Sequence, residues 1–189
     1  MDLTRDAAWS LLNEYTKGES LLKHALAVEA AVRGYARRCH EDEHPWGIVA
    51  LLHDFDYERW PSLDDHPYKG VDILRGLGYP DWVTRAILSH ASYSGVSRDS
   101  PLEKTLFACD EMAGFVTAAS LVRPSKSLLD LEAPSVMKRM KDKAFARGVS
   151  RDDLRAGADL IGLPLDVHIA NVIEFMREQV DALGLRGAL

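Results

Sequence analysis

Apolar residues recur at spacings of three and four along almost the whole chain. No stretch keeps the strict alternation of a half-buried strand. Side chains three and four apart share one face of a helix, so the pattern predicts an all-α fold. Prolines and glycines fall between the periodic stretches, where helices end. The first helix is expected over Thr4–Tyr15, with Ala8, Leu11, Leu12 and Tyr15 inward. A long second helix, capped by Ser20, carries Leu21, His24, Ala25, Val28 and Val32 on one stripe. Pro45 is expected to open a third helix that ends at His53, and the acidic, aromatic stretch Asp56–Asp65 reads as a loop. Helices follow from His66-Pro67 to Leu74, from Asp81 to His90, and from Pro101 through Asp110 to Phe115. Ser150 with Asp153 resembles a capping box, and a final helix runs Leu165–Leu183.

At 189 residues the chain can bury one sizeable core. We expect a compact helical core over 1–120, with a C-terminal helical extension over 121–189 packed on it. A net charge of −6 argues against a stable nucleic-acid partner, which needs a basic surface. No apolar run approaches the ~20 residues of a membrane span. The start Met1-Asp-Leu-Thr-Arg-Asp is acidic, unlike a leader. Two cysteines far apart, Cys39 and Cys109, make no disulfide framework. The expectation is a cytoplasmic protein; its oligomeric state is not readable from sequence.

Against this background one stretch stands out, Ile48-Val-Ala-Leu-Leu-His-Asp-Phe-Asp-Tyr-Glu58, an apolar run that hands directly into His53-Asp54. Buried charges must be paired or bound to a cation. A lone histidine on an apolar face is usually a satisfied core or surface residue, and His40, His44 and His168 are read that way. His24, His53, Asp54, His66, His90 and Asp110 are different as a set, because each lies in or beside an apolar helical segment. Imidazole with carboxylate suits Mn, Fe, Co, Ni or Zn rather than Mg. Six protein ligands exceed what one catalytic ion needs, since such an ion keeps a position open. If one carboxylate bridges, the set makes two sites, and Asp54 is the candidate bridge.

The order His24, His53-Asp54, Asp110 on successive helices resembles the HD superfamily, named for its His-Asp doublet. The resemblance covers roughly residues 20–120. His66-Pro67 followed by Gly70, and Ile87-Leu-Ser-His90, are similar to the two further histidines of its binuclear branch. Asp54-Phe-Asp-Tyr-Glu58, Leu121-Val-Arg-Pro124 and Lys138-Arg-Met-Lys-Asp-Lys-Ala-Phe145 resemble a group of small predicted HD hydrolases over most of the chain. The resemblance implies a first ion on His24, His53, Asp54 and Asp110, and a second on Asp54, His66 and His90. Phe55, Asp56 and Tyr57 stand where the branch that hydrolyses cyclic dinucleotides has a Gly- and Lys-containing signature, and Tyr57 replaces a lysine used by a di-iron oxygenase branch.

These readings point to a metal-dependent phosphohydrolase with two divalent transition-metal ions, acting on a small phosphate ester or nucleotide. Asp56 and Glu58 are expected to orient water or serve the leaving group. Arg123 and Lys126, with Lys104, are the candidate phosphate contacts, and Ser92, Tyr93 and Ser94 follow His90 where they could line the pocket. Two other classes remain compatible: a mixed-valent di-iron oxygenase and a nucleotide-binding regulatory module without turnover.

Overall fold

The computed structural model describes residues 3–188, so the Met1-Asp2 start lies outside it. Among the described residues there are nine α-helices, one 3-10 turn and no strand: α1 (Arg5–Tyr15), α2 (Glu19–Arg38), α3 (Glu43–Leu52), α4 (Tyr68–Gly76), α5 (Asp81–His90), the turn Ser92–Ser94, α6 (Pro101–Leu121), α7 (Ala133–Met140), α8 (Arg151–Leu160) and α9 (Leu165–Arg177).

Several helix ends follow from local chemistry. Thr4 accepts from Ala7 N, and Ser150 accepts from Asp153 N. Ser100 and Glu103 form a full capping box, with Pro101 in the first turn. Two starts differ from the sequence expectation. α3 begins at Glu43, with Asp42 accepting from His44 N, so Pro45 lies inside the first turn rather than opening it. α2 begins at Glu19 after Gly18, and Ser20 does not cap it. Just ahead of that end Glu58 accepts from Lys17 N and from Gly18 N at 3.2 Å.

α2 and α6 are the two long central helices. α2 packs on α3, α6 and α9, while α6 packs on α2, α5, α8 and α9. α3 is buried from Trp46 through Leu52 on every side, because it is enclosed by its neighbours. One buried cluster runs from Ala8 and Leu12 through α2, α3 and α6 to Ile169, Val172, Ile173 and Met176 of α9. Residues on both sides of position 120 thus share a core. No single helix among the described residues is long and apolar enough to cross a membrane.

Where elements approach most closely, glycine makes room. A Cβ on Gly34 would fall 2.1 Å from the Phe175 ring, and one on Gly157 would fall 2.8 Å from Ala108 Cα. The second contact brings α8 against α6 next to Asp110.

Candidate metal centre

Four elements converge on one point. α2 contributes His24, the C-terminal end of α3 His53, the end of α5 His90, and the middle of α6 Asp110. After α3 the backbone stays in tight turns, with Tyr57 N donating to Asp54 O and Arg59 N to Asp56 O. That path aims His53 and Asp54 at the convergence and sends Phe55 into the core, where it is fully buried. His66 arrives from the loop just before α4.

The six side chains form two groups that share Asp54: His24, His53, Asp54 and Asp110 in one, Asp54, His66 and His90 in the other. Asp54 Oδ2 lies 3.4 Å from His53 Nε2 and 3.9 Å from His24 Nε2. Its other oxygen, Oδ1, lies 3.2 Å from His66 Nε2 and 3.3 Å from His90 Nε2. Asp110 Oδ1 is 3.0 Å from His24 Nε2 and 3.4 Å from His53 Nε2.

Three of the four rings are fixed from behind. His53 Nδ1 is 2.7 Å from Ala50 O, and His90 Nδ1 faces Ile87 O. His66 Nδ1 is 2.8 Å from Asp56 Oδ1, while Asp56 Oδ2 accepts from Gly70 N at 2.8 Å. A proton on Nδ1 in each case leaves the Nε2 lone pair aimed into the cluster.

The imidazoles and carboxylates shift one another strongly. Burial opposes charge on His53, yet the Asp54 and Asp110 carboxylates hold its pKa well above the ordinary value. His66 is raised to about 9: burial disfavours its charge, and Asp54 and Asp56 outweigh that. Burial likewise opposes the charge of Asp54, but His53 and the bonds from His66 and His90 keep it well below the carboxylate range. Asp110 is lowered in the same way, against its own burial, chiefly by His53 and His24. A divalent ion would substitute for those protons. The donors fit one: His53 Nε2 is fully buried with no hydrogen-bond partner among the described residues, and four imidazoles with two carboxylates are the ligand types of a transition-metal site.

The cluster floors a cleft of about 480 Å³, walled by Tyr57, Tyr93, Phe107, Glu111 and Asp153 among others. Ser92 also lines it, whereas the hydroxyl of Ser94 turns back to Leu88 O. Burial and the neighbouring Asp110 and Asp153 carboxylates push the Glu111 carboxyl up to about 7.

The remaining expected residues lie elsewhere. Asp56 is fully buried beneath His66 and has no face toward the cleft, so it cannot orient water there. Glu58 is turned to the start of α2. Arg123 makes a two-pronged pair with Asp130, at 3.0 and 2.8 Å, so it is not free to clamp a phosphate. Lys104 and Lys126 are not among the cleft's lining residues; Lys126 sits at a left-handed turn position beyond α6. Glu111 and Asp153 escaped the sequence reading. Glu111 is simply next to Asp110, and Asp153 reads as part of a helix start.

The family model described as HD domain matches residues 21–114. A search of the curated proteins gives no match.

Proposed function

Because the chain belongs to the HD superfamily, a superfamily of metal-dependent hydrolases, we propose that it is a binuclear phosphohydrolase acting on a small phosphate ester. The observation that carries the reading is Asp54: its two oxygens face different histidine pairs, Oδ2 toward His24 and His53, Oδ1 toward His66 and His90. A carboxylate so placed could be shared between two ions. Divalent metals bound there would supply a water acidified toward neutrality and positive charge for the phosphoryl oxygens.

The protein's own residues supply the rest. His24, His53 and Asp110 complete one ligand group, and His66 and His90 the other. Ala50 O, Ile87 O and Asp56 hold the imidazole protons on Nδ1, so that no ring must reorient as a ligand exchanges. Tyr57 and Tyr93 wall the cleft beside His66: Tyr57 meets that ring edge-on at 5.2 Å, and the Tyr93 hydroxyl donates to His66 O at 3.0 Å.

The test is metal-depleted protein reloaded anaerobically with Mn, Fe, Co, Ni or Zn and assayed on phosphate monoesters and nucleotides. Hydrolysis with about two ions per chain is expected. Asp54→Ala should empty both sites and lower kcat/KM by at least about a thousandfold, whereas His66→Ala should keep about one ion. Iron-dependent O2 consumption with a mixed-valent signal and no phosphate release would overturn the hydrolase reading.

A further inference from the structure

The wall of the cleft speaks to the part of the substrate that is not phosphate. We propose that the site selects phosphate esters whose remaining portion is positively charged, such as an alkylammonium, and that Glu111 and Asp153 are the residues that select it. This rests on the phosphohydrolase reading and deepens it.

Among the described residues no lysine or arginine lines the cleft, although its volume of about 480 Å³ is that of a small-molecule site. The charged side chains above the metal-ligating floor are instead two carboxylates. Glu111 stands one residue beyond Asp110 on α6, and Asp153 lies in the first turn of α8. Both line the same cleft. Arg98 does not line the cleft, although it lies near enough to Asp153 to feel its charge. Its guanidinium stacks on Phe107, 3.6 Å from the ring centroid, and donates to His90 O and to Ser92 Oγ. Below the cleft the fully buried His53 Nε2 lies between Asp54 and Asp110, 3.4 Å from each, with no hydrogen bond among the described residues.

A phosphate can be neutralised by ions on the floor. A second anionic group on the same molecule would face Glu111 and Asp153 in a partly desolvated setting, where like charges repel strongly. Polyphosphates and carboxylated esters are therefore disfavoured. A cationic group meets the opposite situation, with two carboxylates and the aromatic side chains Tyr57, Tyr93 and Phe107 around it. Carboxylate and aromatic faces together are suited to an ammonium.

The experiment uses Mn-loaded protein and three probes: phosphocholine, its neutral isostere 3,3-dimethylbutyl phosphate, and the anionic 2-phosphoglycolate. Kd by calorimetry and kcat/KM are measured for each. The expected order is cationic, neutral, anionic, with phosphocholine favoured over its isostere by about tenfold or more. Asp153→Asn and Glu111→Gln should each bring that ratio to within about threefold of unity. A wild-type ratio near one, a preference for the anionic ester, or a ratio unchanged in both variants would overturn the proposal. So would a third metal equivalent that Asp153→Asn removes, since the carboxylates would then be metal ligands. Ordered binding without turnover of any probe would defeat the hydrolase reading and leave the subsite standing; equal turnover of all three would do the reverse.

Discussion

Asp54 and Asp56 stand two positions apart and serve different ends. Asp54 looks into the cleft, while Asp56 is fully buried and ties His66 Nδ1 to Gly70 N. A Cβ on Gly70 would fall 2.8 Å from Asp56 Cγ, so the α4 backbone must come this close for the bond to form. Replacing Asp56 with Asn retains the volume but removes the charge that holds the His66 proton in place. Affinity of the His66–His90 group for metal should fall about 10- to 100-fold, with the His24–His53–Asp110 group unchanged. Metal titration reads this directly, and wild-type affinity at both groups would refute the supporting role. In sequence Asp54 stands out as the second residue of the doublet, but nothing places Asp56, which follows it in a segment without periodicity. Only the turns after α3 assign one to the cleft and the other beneath His66.

Among the elements, α2 shows how far local signals reach. Its inward stripe is legible from spacing, and His24 falls on it. Its start is not, because Glu58, remote in sequence, holds the Lys17 and Gly18 amides just ahead of it, and Ser20 does not cap it. The other limit is close approach. Gly34 lets the Phe175 ring of α9 lie directly on α2, and a methyl there would sit within 2.4 Å of several ring atoms. Gly34→Ala should destabilise the protein by about 1–3 kcal/mol through overpacking. Metal content should be retained, because the clash lies well along α2 from His24. Thermal unfolding with metal analysis separates the two effects; a Tm equal to wild type would show that α9 can move aside at no cost.

The whole molecule is joined through a buried polar link. His168 on α9 faces Ala108 O of α6 at 2.9 Å through Nε2, and the Tyr35 hydroxyl of α2 at 2.6 Å through Nδ1. Asn171 Nδ2 donates to the same Tyr35 oxygen at 3.2 Å. The histidine read from sequence as a satisfied core or surface residue is thus buried, and it links α9 to both central helices. Burial lowers its pKa to about 4, against a smaller raising effect of Ala108 O. Between pH 6.5 and about 4 the unfolded chain binds a proton that the folded chain refuses. Stability should therefore fall as pH drops through that window and level off below it, by on the order of 3 kcal/mol from this group. Urea unfolding of metal-free protein at pH 7 and pH 4, compared with His168→Gln, isolates the contribution; parallel losses in both proteins would assign the acid sensitivity elsewhere.

The sequence alone determined the helical class, the inward faces of the helices and a set of imidazoles and carboxylates able to bind metal. These are properties of spacing and residue type, and spacing of three and four acts within a single helix. Tertiary structure decided which Asp54 oxygen faces which histidines, why Asp56 and Glu58 lie outside the cleft, and that Arg123 is held by Asp130. It also decided that the wall above the floor is acidic, through Glu111 of α6 and Asp153 of α8. A side chain's charge is written at its own position. What that charge faces depends on helices distant in sequence, and packing alone brings those together.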